Sequence, residues 1–312
     1  MITHDNFPTP DLALRSTDPA ELARVRQFAH HQADAAEALR QRLAEQLPAA
    51  DPDGRVLMLR RSLAELIQWR YQLALTAPGR LGIGIKLDAE RFRTPLRSDP
   101  NFDRLGTLGR LRAGAEWDPA TRTYRGGTAT PASRIMDRYG RAAHARFDAE
   151  APGEDVLRNE VLLPDGRRVM GNRLVRGEPA AALARQLVIR VGGRGHDVSR
   201  MEIGGELLFA VSAHDDDADT LHAEALRRLA NALDEDDHRA RLWEWQTARY
   251  LLYQSPRTKK GSDAVIRVFL VAVGTLLFGR PPVMQQDADL RCAVLGQLDA
   301  TRMPADTALD PR

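Results

Sequence analysis

Apolar residues recur every three or four positions along most of the chain, which is the period of a helix with one buried face. The clearest case runs from about Val56 to Thr76, where Leu59, Leu63 and Leu66 share one face. Proline and capping residues mark the start of a helix, as at Thr17-Asp18-Pro19. The pattern predicts helices at about 17–47, 56–76, 133–149, 178–190, 216–233, 237–253, 262–278 and 285–298.

Two segments have the alternating pattern and the turn residues of β-hairpins. The first pairs 156–163 with 167–175 across the turn Pro164-Asp165-Gly166. The second spans 201–209, where Gly204-Gly205 would supply the positive φ angles of a two-residue turn. Between about 78 and 127 the chain is rich in glycine and arginine, including Gly79, Gly82 and Gly84, which favours loops with short strands.

These elements predict a mainly α fold with small β-hairpins and an Arg/Gly-rich loop region. Residues 1–16 lack periodicity and contain two prolines, so we expect a flexible arm; a flexible tail is expected at 300–312 for the same reason. Between them we expect an N-terminal helical and loop-rich region over 17–150, whose function the sequence does not indicate. A second region over 151–299 would combine the hairpins with a C-terminal helical core.

The charge balance and the cysteine content limit the classes of partner and the cellular compartment that we expect. The 45 Lys and Arg residues nearly balance 43 Asp and Glu, so the total gives no large field of one sign and does not favour a nucleic-acid partner. The single cysteine, Cys292, excludes an intramolecular disulfide. The longest apolar run, Val268 to Phe278, is too short to span a bilayer, and the N-terminal residues lack a signal-peptide core. We therefore expect no membrane partner, and a cytoplasmic protein or one exported by a specialised secretion system.

The most chemically suggestive segment lies at the start of the helix predicted at 262–278. Three cations precede a helix N-terminus there, and glycine allows a tight turn of the backbone. Free backbone N–H groups, the positive end of the helix dipole and these cations would together bind an anion. A solvated loop with an ordinary cap is the alternative. The predicted phosphate-binding residues are Arg257, Lys259, Lys260, Gly261, Ser262 and Arg267.

The stretch from about 221 to 299 resembles the Fic, or Fido, superfamily. Ala248-Arg-Tyr-Leu-Leu-Tyr253 leads into Ser255-Pro256, as a helix of that family leads into its motif HPFx(D/E)GNGRxxR. Lys260-Gly-Ser-Asp263 stands near the acidic-Gly-Asn-Gly part, and Arg267 matches the final arginine. The exit Gly279-Arg-Pro-Pro-Val283 is similar to that of the family, and the hairpin expected at 201–209 lies where the family places its substrate-aligning flap.

The resemblance implies a Fic-like helical core and transfer of a nucleotide from ATP to a protein hydroxyl, as in an effector or toxin. Three motif positions differ: Ser255 replaces the catalytic histidine, Lys260 the metal-holding acid, and Ala264 the first arginine. Serine has no comparable basicity, and lysine does not hold Mg²⁺. We therefore predict no metal site, with Asp263 as the nearby base and Ser255 at the catalytic position.

Two functions follow from this segment. One is a Fic-like transferase that uses a nucleotide or another phosphate-bearing donor to modify a protein. The other is a catalytically silent module that binds an anion or a protein. The residues of this segment do not identify a cofactor, for which a nucleotide is the candidate.

Two further motifs suggest other chemistry. Tyr124-Arg125-Gly126 and Asn159-Glu160-Val-Leu-Leu163 are similar to pieces of ADP-ribosyltransferases, in which the arginine holds NAD and the glutamate stabilises the sugar cation. The acidic run Asp215-Asp216-Asp217 with Asp219 matches the DDxxD metal motif of class I terpene synthases. The second metal motif of those enzymes does not follow, and a charged helix N-terminus explains the run equally well.

Overall fold

A computed structural model describes residues 1–15, 18–76, 88–96 and 100–310. The predicted mainly α fold with small antiparallel sheets is confirmed. Thr17 and the part of the Arg/Gly-rich region from 77 to 87 lie outside the described residues. The helices are α1 Pro19–Gln46, α2 Pro52–Thr76, α3 Pro131–Glu150, α4 Gly177–Gly192, α5 Asp215–Ala232, α6 His238–Gln254, α7 Ser262–Phe278, α8 Ala288–Val294 and α9 Gln297–Thr301. The strands are β1 Phe102–Leu105, β2 Glu116–Asp118, β3 Thr123–Arg125, β4 Val156–Leu162, β5 Arg168–Val175 and β6 Leu208–Val211.

Helix α7 lies at the centre of the main core. From Val268 to Phe278 almost all of its residues are apolar, on every side of the helix, and a helix of that kind is stable only when other elements surround it. Helices α1, α2 and α6 pack against it. The indole Nε1 of Trp245 donates a hydrogen bond to the carbonyl oxygen of Leu270 (3.1 Å), which fixes α6 against α7. Because α1 and α2 pack on α7, the boundary expected near residue 150 does not separate two cores.

The larger sheet has the strand order β1-β6-β5-β4, and every neighbouring pair is antiparallel. Its β4–β5 hairpin is the one predicted, and Gly166 has the positive φ (81°) that the turn requires. One face of the sheet packs on α3 and α8 and the other on α4. The small sheet β2–β3 is a separate hairpin.

The prediction of a hairpin at 201–209 is wrong. Only its end is a strand: β6 begins at Leu208 and pairs with β1 and β5 rather than with a neighbouring segment. Long-range contacts hold the preceding residues instead. Glu202 accepts a hydrogen bond from the backbone N–H of Gly109 (2.9 Å), and Arg104 donates to the carbonyl of Gly204 (2.8 Å). The Fic-like flap is therefore not formed by this segment.

The N-terminal segment expected to be a flexible arm is packed in the described structure. Ile2 and Phe7 are buried in the main core. The side-chain amide of Asn6 donates to the carbonyl of Pro282 (3.2 Å), just after α7. Composition alone suggested a loose segment because these anchoring residues are few and far from their partners in sequence.

The C-terminal segment differs from expectation in two ways. The single helix expected at 285–298 is two short helices, α8 and α9, because Leu295 and Gly296 leave the helical conformation. The expected flexible tail instead packs on the core: Leu309 is buried, and Asp306 forms a buried ion pair with Arg249 (2.7 Å). Local periodicity cannot reveal a segment whose order depends on a partner more than 50 residues earlier.

Candidate functional site

Helices α6 and α7 are adjacent and are joined by a loop at 255–261, as the sequence predicts. Gly261 caps α7 with a φ of 82°, a conformation that favours glycine. A Cβ atom at this position would lie 2.5 Å from Cδ1 of Phe92, so no larger residue fits without a shift. Backbone hydrogen bonds hold the loop against the segment around residue 95: Lys259 N–H donates to Thr94 (3.0 Å), and the carbonyl of Arg257 accepts from Leu96 (3.2 Å).

The predicted phosphate-binding cations point in different directions. Arg257 forms an ion pair with Asp219 of α5. The Lys260 ammonium lies 5.5 Å from the ring centroid of Phe92. Arg267 is only 1% exposed, and its Nε donates to Asp263, one helical turn earlier (2.7 Å). The structure therefore does not bring these side chains to one spot.

The two hydroxyl residues of the segment bond to nearby backbone groups. Ser255 is 1% exposed, and its Oγ donates to the carbonyl of Leu251 (2.7 Å). Ser262 Oγ lies 3.1 Å from Thr258 Oγ1 and donates to the Thr258 carbonyl (3.2 Å). These contacts are structural, and the geometry does not support a catalytic role for Ser255.

Lys259 belongs to a group of cations that sequence analysis missed. Burial first, and then the charges of Arg190, Arg91 and Arg194, lower the pKa of Lys259 to about 8; repulsion by these cations outweighs attraction by Asp215. Burial and neighbouring cations also lower the pKa values of Arg91 and Arg190. We call Arg91, Arg190, Arg194 and Lys259 the cationic group.

The cationic group is assembled from three separate parts of the chain. Arg91 lies in a short 3₁₀ helix, Arg190 and Arg194 lie at and just beyond the end of α4, and Lys259 precedes α7. The side-chain amide of Asn101 donates to the carbonyl of Lys259 (2.9 Å) and so ties this loop to the start of β1. No local signal distinguishes these arginines in an arginine-rich chain, because only the fold brings them together.

The carboxylate of Asp103, on the edge strand β1, interacts with Arg91 of the cationic group. Asp103 of β1 is exposed to solvent, yet burial is the main cause of its raised pKa, and the charges of Arg91 and Arg110 act in the opposite direction. The charge of Asp103 also acts on Asp289 of α8.

Arg267 is buried next to Asp263, and the charge of Asp289 also acts on it. Asp263 Oδ1 accepts hydrogen bonds from Arg267 Nε and from the Tyr253 hydroxyl (2.8 Å), so this oxygen is already occupied. Nη2 of Arg267 donates to the carbonyl of Gln286 (3.2 Å), whereas the buried Nη1 has no hydrogen-bond acceptor among the described residues. Burial, followed by the charge of Asp263, raises the pKa of Asp289 to about 7. Asp289 is therefore placed to exchange a proton near neutral pH.

Asp289 couples stability to pH. Its pKa of about 7 in the folded protein exceeds the value of about 3.9 expected in the unfolded chain, so the stability of the folded state falls as pH rises between these values. We expect Asp289→Asn to raise the free energy of unfolding by about 1–2 kcal/mol at pH 8, after allowance for solvent screening, and to change it little at pH 4. Urea unfolding at both pH values measures this difference. The exposed Glu45→Gln variant is the control, and an equal effect of Asp289→Asn at both pH values would contradict the prediction.

The other two motifs do not form sites. Arg125 lies in the β2–β3 hairpin and pairs with Asp118 (2.9 Å), whereas Glu160 lies in the larger sheet and pairs with Arg168 (2.6 Å). The acidic run at Asp215 forms the first turn of α5. Within the described parts of the chain, no three His, Cys, Asp or Glu side chains are grouped as a metal site requires.

A scan against known protein families matches none of them, and a search of curated proteins finds no similar sequence. The resemblance to the Fic superfamily therefore stays a prediction. Over the residues that the structure describes, no helix combines the length and apolar character needed to cross a bilayer.

Proposed function

We propose that the protein binds a phosphate-bearing ligand at the cationic group. The observation that carries this proposal is the assembly of Lys259 with Arg91, Arg190 and Arg194, whose charges repel one another. Such an arrangement costs folding free energy, and a bound dianion would offset that cost. Guanidinium groups also match the geometry of phosphate oxygens and bind them in bidentate fashion. The proposal retains the predicted class of ligand and one predicted residue, Lys259. It places the site at the cationic group rather than along the segment 257–267.

Asp289 favours a transferase over a silent binding module. Asp289 would accept a proton from a hydroxyl group near neutral pH, which is the task of a general base in group transfer from a phosphate-bearing donor. The Fic resemblance suggests a nucleotide as the donor and a protein hydroxyl as the acceptor. Ligand binding without any transfer would favour the silent module.

Binding of pyrophosphate and ATP, measured by calorimetry, tests the anion site. Charge-assisted hydrogen bonds contribute about 1.5–3 kcal/mol each, so Lys259→Ala/Arg194→Ala should bind pyrophosphate roughly a hundredfold more weakly than the wild type. Arg26→Ala is the matched control, since Arg26 is an exposed arginine of α1. The proposal fails if the wild type binds neither ligand at millimolar concentration, or if the double variant binds as tightly as the wild type.

The pH dependence of binding gives a second test. Lys259, with a pKa of about 8, loses its charge as pH rises through that value, so wild-type affinity for pyrophosphate should fall between pH 7 and pH 9. Arginine keeps its charge over this range, so Lys259→Arg should retain its affinity. Parallel pH profiles for the two proteins would show that Lys259 does not contact the anion.

A further inference from the structure

One face of α6 and the C-terminal segment line a cavity of about 530 Å³. Sites for small molecules have volumes of roughly 300–1,000 Å³, so this cavity is large enough for one. The residues from α6 are spaced by three and four positions, which places them on one side of the helix. The lining includes Arg239, Trp243, Gln246, Arg302, Asp306 and Asp310.

Trp243 gives the cavity an aromatic wall. It is 38% exposed, whereas Trp245, two residues later, is fully buried in the main core. An indole on the wall of a cavity offers a flat apolar surface, on which an aromatic ring is held more tightly than an aliphatic ring of the same size. The wall therefore favours a ligand with a planar ring.

The charges of the lining favour a ligand with one negative charge. Arg239 and Arg302 form no ion pair with an acid in the part of the chain that the structure describes. Asp306 is neutralised by the buried Arg249 (2.7 Å), which leaves Asp310 to offset one of the two arginines. The lining thus has a surplus of one positive charge. A guanidinium group binds a carboxylate in bidentate fashion, so a carboxylate suits this surplus.

The aromatic wall and a cation lie close together. The guanidinium carbon of Arg302 is 5.9 Å from the centroid of the Trp243 ring, at the outer limit of a cation–π contact. A ring stacked on the indole therefore has a guanidinium within reach of a carboxylate substituent.

Gln246 adds a hydrogen-bond acceptor to the lining. Its side chain is 7% exposed, and its amide nitrogen donates to Asp306 (3.0 Å). This bond fixes the orientation of the amide, and the amide oxygen accepts no hydrogen bond from the described residues. A hydroxyl group on the ligand would supply the donor.

We propose that this cavity binds a planar aromatic carboxylate. The ring would stack on Trp243, the carboxylate would pair with Arg302, and a hydroxyl substituent would donate to Gln246. The inference goes beyond the proposed function and does not rest on it, because the cavity shares no residue with the cationic group.

Two probes isolate the contribution of the planar ring: 4-hydroxybenzoate and trans-4-hydroxycyclohexanecarboxylate. They carry the same hydroxyl and carboxylate groups, and only the first has an aromatic ring. We expect calorimetry with the wild type to show roughly threefold to tenfold tighter binding of 4-hydroxybenzoate, the ratio that corresponds to an aromatic pair. This comparison requires no variant, so it does not depend on whether an altered protein folds.

A third probe isolates the contribution of the carboxylate. 4-Methylphenol keeps the ring and the hydroxyl group but has no charge. It should bind to the wild type at least roughly tenfold more weakly than 4-hydroxybenzoate, because it makes no charge-assisted hydrogen bond to Arg302.

Three variants assign these differences to the cavity. Trp243→Leu should abolish the preference for the aromatic probe, whereas Trp243→Phe, which keeps a ring, should retain it. Arg302→Gln should weaken binding of 4-hydroxybenzoate by at least roughly tenfold. Arg26→Gln, on an exposed position of α1, is the control for loss of a guanidinium.

The outcomes separate this proposal from the proposed function. It is overturned if 4-hydroxybenzoate does not bind at millimolar concentration, if the aromatic and aliphatic probes bind equally, or if Arg302→Gln binds as tightly as the wild type. The Lys259→Ala/Arg194→Ala variant should bind 4-hydroxybenzoate as the wild type does. Loss of binding in that variant would place the probe at the cationic group and would overturn the proposal as well.

Discussion

The Asp306→Ala variant should lose about 3–5 kcal/mol of unfolding free energy, because it leaves a buried guanidinium without its partner. Asp306 accepts two hydrogen bonds of 2.7 Å from Arg249, which is 1% exposed. It also accepts hydrogen bonds from the side chain of Gln246 (3.0 Å) and the backbone of Met303 (3.1 Å), so one substitution disrupts four contacts. Chemical unfolding monitored by circular dichroism measures the loss.

Two further variants test this explanation. Asp299→Ala removes an exposed acid from neighbouring α9 and should change stability by less than about 0.5 kcal/mol. The double variant Arg249→Met/Asp306→Leu should be more stable than Asp306→Ala, because apolar side chains leave no buried charge behind. If Asp306→Ala lowers the free energy of unfolding by less than about 1 kcal/mol, the ion pair does not anchor the C-terminal segment.

Gly261→Ala is the second variant for which we expect a large effect. It should lower the free energy of unfolding by more than about 3 kcal/mol. A left-handed conformation costs a non-glycine residue about 1–2 kcal/mol, and here the new Cβ would also lie 2.5 Å from the Phe92 ring and 3.0 Å from Arg70 Cγ. The clash would displace the start of α7 from the loop that carries Lys259. We therefore expect weaker pyrophosphate binding as well as lower stability.

The same helix offers the matched control. Gly279 ends α7 with a φ of 67°, and a Cβ there would meet nothing within 4 Å. Gly279→Ala should therefore lower the free energy of unfolding by only about 1–2 kcal/mol, the cost of the left-handed conformation, and should leave anion binding unchanged. Equal losses for the two variants would mean that the contact with Phe92 is unimportant.

The sequence predicted elements whose signal is local. The run of apolar residues in α7 requires burial on all sides, and the Pro164-Asp165-Gly166 turn fits the β4–β5 hairpin without reference to the rest of the chain. The glycine pair at Gly204-Gly205 was misleading for the same reason. Its geometry follows from close approach to a distant segment, since a Cβ at Gly204 would lie 1.8 Å from the carbonyl oxygen of Thr121.

The candidate site was less predictable because it depends on side-chain direction and on contacts between distant segments. Four cations near the start of α7 suggested one anion site, but Arg257 pairs with Asp219 and Arg267 with Asp263. Lys259 alone joins a cationic group, and its partners come from elements that the sequence does not connect. Nothing in the sequence distinguishes Asp289 from an ordinary acid at a helix N-terminus, and only its burial beside Asp263 identifies it.

The central position of α7 has a consequence during synthesis. Helix α1 packs against α7, although roughly 200 residues separate them. At about 5–20 residues per second, a ribosome needs on the order of 10–40 s to make that interval. The apolar face of α1 therefore lacks its final partner on the nascent chain throughout this time, and we expect that face to be the one that a chaperone shields until α7 emerges.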